Sequence, residues 1–202
     1  MAMSDNKGQT NKTNPAREIY DWAETFGVAL TIVVLIFTFL CRFVTVDGHS
    51  MDKTLNHADR LIISDLFYTP DTGDIVVVHD TTEPHFKGPV IKRVIATAGE
   101  TVDIDFNTWT VSVTDIEGNT RVLDEPYVNY EEGLPMKGTS SSFIYPHAPT
   151  YPHVVADGCV FVMGDNRNHS LDSRYVGDID ERMILGKAYL RLFPFNKIGF
   201  LK

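Results

Sequence analysis

Residues 25–41 read TFGVALTIVVLIFTFLC, an uncharged run between Glu24 and Arg42. At 1.5 Å per residue a helix of this length covers ~25 Å, close to the ~30 Å hydrocarbon core of a bilayer once Glu24, Arg42 and Phe43 to Val46 reach the interfaces. The stretch predicts a single transmembrane helix over residues 25–43. A cleaved signal peptide would show an apolar run of ~7–15 residues followed by an A-x-A-like site. Here the run is longer, Arg42 closes it, and the β-branched Val44-Thr45-Val46 follows. A buried core helix, apolar all round, would ask too much cover from the ~160 residues that remain. Charge does not set the orientation, because Lys7, Lys12 and Arg17 on one side are matched by Arg42, Lys53 and Arg60 on the other.

Outward from this segment the chain differs on its two sides. Residues 1–24 are polar and read as a tail that becomes helical only after Pro15. Beyond Val46 the period becomes that of strands, expected at Arg60–Tyr68, Asp74–His79, Pro89–Ala98, Trp109–Val113, Cys159–Met163 and Leu185–Phe193, with turns such as Pro70-Asp71-Thr72-Gly73 between them. Residues 44–202 are therefore expected to form a mainly β, antiparallel domain behind the helix. Residues 129–153, with four Pro and two Gly, show neither period and read as a long loop or β-extension.

Of 202 residues, 43% are hydrophobic and 11% aromatic, only two are Cys, and the net charge is −9. That composition excludes a disordered chain, a disulfide scaffold and a basic nucleic-acid binder. Residues 1–42 carry four basic and four acidic side chains, so the whole deficit lies beyond them, where phosphates and anionic lipid surfaces are repelled. Cys159, among Val160, Phe161 and Val162, reads as a packed thiol with a raised pKa, and Cys41 at the helix end is badly placed to pair with it. The seven His fall in no ligand spacing, so neither a metal nor another cofactor is expected.

Three patches carry chemistry. Gly48-His49-Ser50-Met51 places a serine before a short helical turn, where it reads equally as an N-cap. Val90-Ile91-Lys92-Arg93-Val94-Ile95 sets one ammonium on an otherwise apolar strand face, a pattern also met in edge-strand gatekeeper lysines. Gly164 through Arg174, GDNRNHSLDSR, is dense enough in polar side chains for a buried network, and alone it also fits a hydrogen-bonded loop or a weak cation site.

In this order, behind one membrane segment, the patches resemble bacterial type I signal peptidases, membrane-bound Ser/Lys proteases that remove signal peptides, and the ending Gly186-Lys187-Ala188 with Phe193 to Gly199 is similar to Gram-positive members. Gly48 to Met51 is similar to the family's nucleophile motif, Gly73 to Val77 to its strand motif, Lys92 to Ile95 to its general-base motif, and Gly164 to Arg174 to its last and most specific motif. Two positions depart: Lys53 stands where the family usually has Pro, and Ala96-Thr97-Ala98 stands where Gly-x-Pro is usual.

The resemblance implies a serine endopeptidase that cuts secreted preproteins after small residues at the outer membrane surface, with the N-terminus cytoplasmic and the catalytic domain outside. It makes Ser50 the nucleophile and Lys92 the general base. A lysine serves as base only when neutral, and desolvation among Val90, Val94 and their neighbours disfavours its ammonium. By the same resemblance the Ser170 hydroxyl bonds and aims the Lys92 amine, and Asp172 and Arg174 form a supporting ion pair. The oxyanion is held by the Ser50 N–H with help at Gly48, which has no hydroxyl, and Val46, Met51, Leu55 and Ile91 line the pockets for small side chains. Independently of the resemblance, the eight residues from Arg42 to Ser50 span at most ~28 Å, so the serine stays near the bilayer surface, where signal-peptide sites emerge.

Other readings compete. Ser50-Met51-Asp52-Lys53 matches the S-x-x-K of penicillin-binding proteins, but the partner S-D-N and K-T-G motifs are absent from the sequence, and Lys53, beside Asp52 and near Asp59, reads as a solvated lysine. A self-cleaving Ser/Lys regulator is opposed by the acidic charge and the apolar helix. A catalytically inactive, anchored β domain is opposed by the presence of Ser50, Lys92, Ser170 and Asp172 together.

Overall fold

The strand with Lys92 organises the domain. In the computed structural model, which describes residues 15–39, 41–139 and 142–201, with no side-chain description at 15 and 36–39, twelve strands form two antiparallel sheets. They are β1 (Arg42–Thr45), β2 (Arg60–Ser64), β3 (Ile75–Val78), β4 (Val90–Thr97), β5 (Thr101–Asp105), β6 (Thr110–Thr114), β7 (Thr120–Val122), β8 (His153–Val154), β9 (Cys159–Met163), β10 (Ile179–Asp180), β11 (Ile184–Phe193) and β12 (Gly199–Phe200). The larger sheet runs β1-β2-β11-β3-β4-β9-β10, with β12 on β11, and the smaller runs β7-β6-β5-β8. Among the described residues every strand pair is antiparallel.

β4 is a central strand, paired with β3 (Val76 opposite Lys92) and with β9 (Val94 opposite Val162). That removes the gatekeeper reading of Lys92, which requires a free edge. Every residue from Ile91 to Ala96 is buried, as expected of a strand covered on both faces. Val76, Val78, Val94, Val160, Val162 and Ile179 form one apolar cluster in this sheet, and Val46, Met51, Leu55, Leu61, Ile63 and Ile91 form another beneath the Ser50 turn. The smaller sheet closes a third cluster, with Val102, Ile104, Val111 and Val113 packed against Ile95, Phe161 and Met163.

The helix α1 spans Pro15–Phe39 and begins at its proline, which already has the helical φ and needs no N–H in the first turn. The chain divides into two compact units, one up to Leu40 and one from Cys41 on. Arg42 and Phe43 belong to β1, so the helix ends before the expected limit at residue 43. Among the described residues, no helix is long and apolar enough to cross a membrane; residue 40 and the side chains at 36–39, part of the expected span, lie outside the described residues. The described residues of segment 129–153 are irregular up to the two-residue β8, yet they are tied down. Trp109 Nε1 donates to the Leu134 carbonyl at 2.7 Å, the Met136 N–H to the Phe106 carbonyl at 2.7 Å, and the Asn129 N–H to the Asp165 carbonyl at 2.9 Å.

Candidate active site

Ser50 sits at the start of a single helical turn, closed by Leu55 N–H donating to the Met51 carbonyl at 2.8 Å, and the turn is seated on buried Met51 and Leu55. Gly48, at φ +106°, admits a backbone reversal that other residues rarely adopt. The turn is clamped from 116 residues away in sequence, since the Asn166 N–H donates to the Ser50 carbonyl and Asn166 Nδ2 to the His49 carbonyl, both at 2.9 Å. In this setting the hydroxyl of Ser50 meets Lys92, with Nζ to Oγ at 2.8 Å.

Lys92 is only 3% exposed. Burial pushes its pKa down to about 8 against the opposing charge of Asp172, while Arg174 adds to the lowering. Behind it Asp172 and Arg174, both fully buried, pair through two bonds of 2.8 Å. Burial alone would raise the Asp172 carboxyl, but Arg174 and the Gly164 N–H, at 2.9 Å, hold it below the usual range. Asp172 also caps the short helix α2 (Ser173–Val176) by accepting from the Arg174 N–H. Arg174 in turn donates to the carbonyls of Lys137 at 2.5 Å and Arg167 at 2.6 Å, so its charge fixes segment 129–153 as well as Asp172.

Three expected details differ. The Ser170 hydroxyl does not bond Lys92; it is buried without a hydrogen-bond partner, pressed beside Gly164, where a Cβ would come within 2.3 Å of it. The Gly48 N–H is already engaged, donating to His57 Nδ1 at 3.3 Å, because the positive φ turns it towards that ring. Among the described residues the Ser50 N–H has no hydrogen-bond partner, so it is the backbone donor left for an oxyanion. Leu55 lies fully buried under the turn and not on the cleft wall. Val46, Met51 and Ile91 do line the cleft, a cavity of about 490 Å³ that Ser50 shares with Val44, Val77, Lys87 and Val90. Lys53 is exposed, with Nζ donating to the Val128 carbonyl at 2.9 Å and φ at +85°. A proline, held near −65°, cannot take that backbone, so the departure at residue 53 changes the turn itself.

Two contributors went unread in the sequence. Asn166 is one. The other is the Arg93–Asp165 pair, bonded at 2.9 and 2.8 Å, with Arg93 stacked over Tyr127 and also donating to the Gly73 carbonyl at 2.7 Å. Both lie inside motifs already singled out, but a motif gives residue types and not which backbone each will hold.

A serine hydroxyl held against a desolvated lysine amine, beside an apolar cleft, defines a Ser/Lys hydrolase. The family profile described as "Signal peptidase, peptidase S26" matches residues 19–193. Signal peptidase IB of Staphylococcus aureus (strain MRSA252) is 31% identical over 191 residues, covering 91% of this chain and 94% of that protein. Signal peptidase I of Bacillus licheniformis is 30% identical over 195 residues, covering 94% and 97%. A signal peptidase I from Enterococcus faecalis, known from its crystal structure, superposes with a TM-score of 0.44 at 27% identity, covering 59% of this chain and 97% of that one. The chain belongs to the signal peptidase family, peptidase S26, and is a serine peptidase of that family.

Proposed function

We propose that this enzyme removes N-terminal signal peptides from secreted preproteins, with Ser50 as nucleophile and Lys92 as general base. The observation that carries the assignment is the 2.8 Å contact between the Lys92 amine and the Ser50 hydroxyl, with the amine buried and its pKa lowered to about 8. Neutral Lys92 takes the Ser50 proton as Oγ attacks the scissile carbonyl carbon. The resulting oxyanion is held by the Ser50 N–H. Collapse breaks the C–N bond, and the Lys92 ammonium returns its proton to the leaving amine. A water deprotonated by the same amine then cleaves the Ser50 ester and frees the signal peptide's carboxylate. Asp172 and Arg174 support Lys92 from behind. A cleft walled by Val46, Met51 and Ile91 suits the small residues that precede such cut sites.

The same reading makes α1 the membrane anchor, with the N-terminus cytoplasmic and residues 44–202 outside. It is supported by the uncharged run at 25–41 and by the exposure, all round the helix, of Val28, Leu30, Ile32, Val33, Val34 and Leu35. An anchor and a signal peptide confined to one bilayer meet at high effective concentration.

The test uses the full chain in detergent with a preprotein, following the new N-terminus by mass spectrometry. Ser50→Ala and Lys92→Ala abolish cleavage and Lys53→Ala retains it; an inactive Lys53→Ala beside an active Lys92→Ala overturns the dyad. In protoplasts, external protease digests residues 43–202 and spares the tail; the reverse pattern overturns the topology and removes signal peptides as substrates.

A further inference from the structure

The cleft wall carries a cation that this mechanism does not use. Acidic side chains outnumber basic ones throughout the part of the chain beyond residue 42, yet the charged residues lining the cleft with Ser50 are one of each sign, Asp47 and Lys87. Asp47 is turned out to solvent. The carboxylate nearest to Lys87 in sequence, Glu83, is already engaged, accepting from the His85 N–H at 3.0 Å and meeting the ring of the same histidine. Lys87 itself is exposed, and among the described residues its ammonium has neither a hydrogen bond nor an ion pair. Pro89 fixes its own φ and disfavours a helical Gly88, so Lys87, Gly88 and Pro89 run on from β4 as cleft wall and hold the ammonium at the rim.

We propose that Lys87 gives the enzyme a charge preference: its ammonium selects an acidic side chain four to six residues before the cut and disfavours a basic one there. The inference rests on the reading above, in which the residues preceding the cut occupy the apolar cleft. Lys92, which meets Ser50 at the scissile bond, and Lys87 are five residues apart on one wall. A peptide extended along that wall rises ~3.3 Å per residue, as the wall does, so its fourth to sixth residues before the cut come within reach of the long, flexible Lys87 side chain. Val46, Met51 and Ile91 face the small side chains beside the cut, and they carry no charge with which to read the rest of the peptide. An exposed pair is well hydrated, so the preference is modest, about three- to tenfold between Asp and Lys. The contact is remote from the reacting atoms and is the same in the bound substrate and the transition state, so it acts on KM and leaves kcat alone.

The test gives the full chain, in uncharged detergent, one preprotein in versions with Asp, Asn or Lys at the fourth, fifth or sixth residue before the cut. The unsubstituted enzyme should favour Asp over Lys by about three- to tenfold in kcat/KM at one or more of these positions, with Asn between and the difference carried by KM. Lys87→Gln should level the three, Lys87→Glu should reverse their order, and Lys87→Arg should keep it. Sodium chloride at 1 M, where charges are screened beyond ~3 Å, should shrink the preference. Equal kcat/KM for Asp and Lys at all three positions overturns the proposal, and so does a preference that persists in Lys87→Gln. A loss in Lys87→Gln that is equal for every version makes Lys87 a structural residue and overturns it as well. Failure of the underlying reading looks different: cleavage is then absent for every version or survives Ser50→Ala, and the charge preference falls with it.

Discussion

Ser50 and Lys92 meet at 2.8 Å but come from opposite kinds of backbone. The serine lies in a segment of reversals, with positive φ at Gly48, Lys53 and Ala58, partly exposed and held by Asn166. The lysine lies in an eight-residue strand bonded on both sides and packed among valines. A nucleophile has to be reached by a substrate, so it belongs on a turn at a cleft. A lysine base has to be kept from water, so it belongs in the middle of a sheet. The costs differ in kind as well: the lysine's is the desolvation of an amine, and the turn's is the left-handed backbone at Lys53 and Ala58.

The largest test of that contrast is Lys92→Met. Loss of the base should lower kcat by up to about 10⁴-fold. The same change should stabilise the protein. The native pKa of about 8 lies below the unfolded 10.5, so between these values the unfolded chain binds more protons and stability rises with pH. Below about pH 8 the penalty is complete, at roughly 3 kcal/mol. Thermal unfolding in detergent at pH 7 should therefore show a higher Tm for the inactive variant; a lower Tm would mean that Lys92 contributes to the core and does not burden it.

Next in size is Gly164→Ala, which strikes the junction of turn and sheet. The new methyl would lie 2.3 Å from Ser170 Oγ and 2.5 Å from the Ser50 carbonyl oxygen. Displacing the nucleophile by a fraction of an ångström to an ångström should cost about a hundredfold in kcat. An active Gly164→Ala enzyme would show that the turn shifts freely against the sheet.

Smaller again is the pH response. Only the neutral amine is a base, so kcat/KM should rise through an acid limb near about 8, gaining about tenfold from pH 7 to 9. A limb near 6.5 that vanished in a histidine variant would transfer the base to the turn. The smallest effect belongs to Lys53→Gly. Glycine relieves a left-handed conformation worth about 1 kcal/mol but loses the bond to the Val128 carbonyl, worth a similar amount. Activity and Tm should stay nearly unchanged, and a severe loss would give Lys53 a role in catalysis.

The strands with a strong alternating or continuous apolar pattern were legible in the sequence. Cys159–Met163 matches β9 in full, and the expectations for β3, β4, β6 and β11 fall within a residue or so at each end. The forecast for β2 ran on to Tyr68, whereas the strand stops at Ser64 and Phe67 turns with positive φ. β5 lies outside the expected strands although Thr101–Asp105 alternates, with Val102 and Ile104 buried and both aspartates exposed. β8, β10 and β12 have two residues each, set by their partners and not by any local period. At the site, Ser50 and Lys92 stand out in the sequence as a Gly-flanked serine and an ammonium on an apolar strand face, whereas the Asp172–Arg174 pair follows only from the family resemblance. The free state of the Ser170 hydroxyl, the engagement of the Gly48 N–H and the clamp from Asn166 depend on which backbone atoms approach, and side-chain spacing is silent on that.

The clamp itself sets an order in time. His49 and Asn166 are 117 residues apart, and the turn before the nucleophile has no such tie until the later one has been synthesised. At ~5–20 residues per second, about ten seconds pass between the two leaving the ribosome. A nascent or truncated chain that ends before residue 166 carries the serine but lacks the hold that shapes its turn, so the serine's turn is left unset until the later segment has emerged.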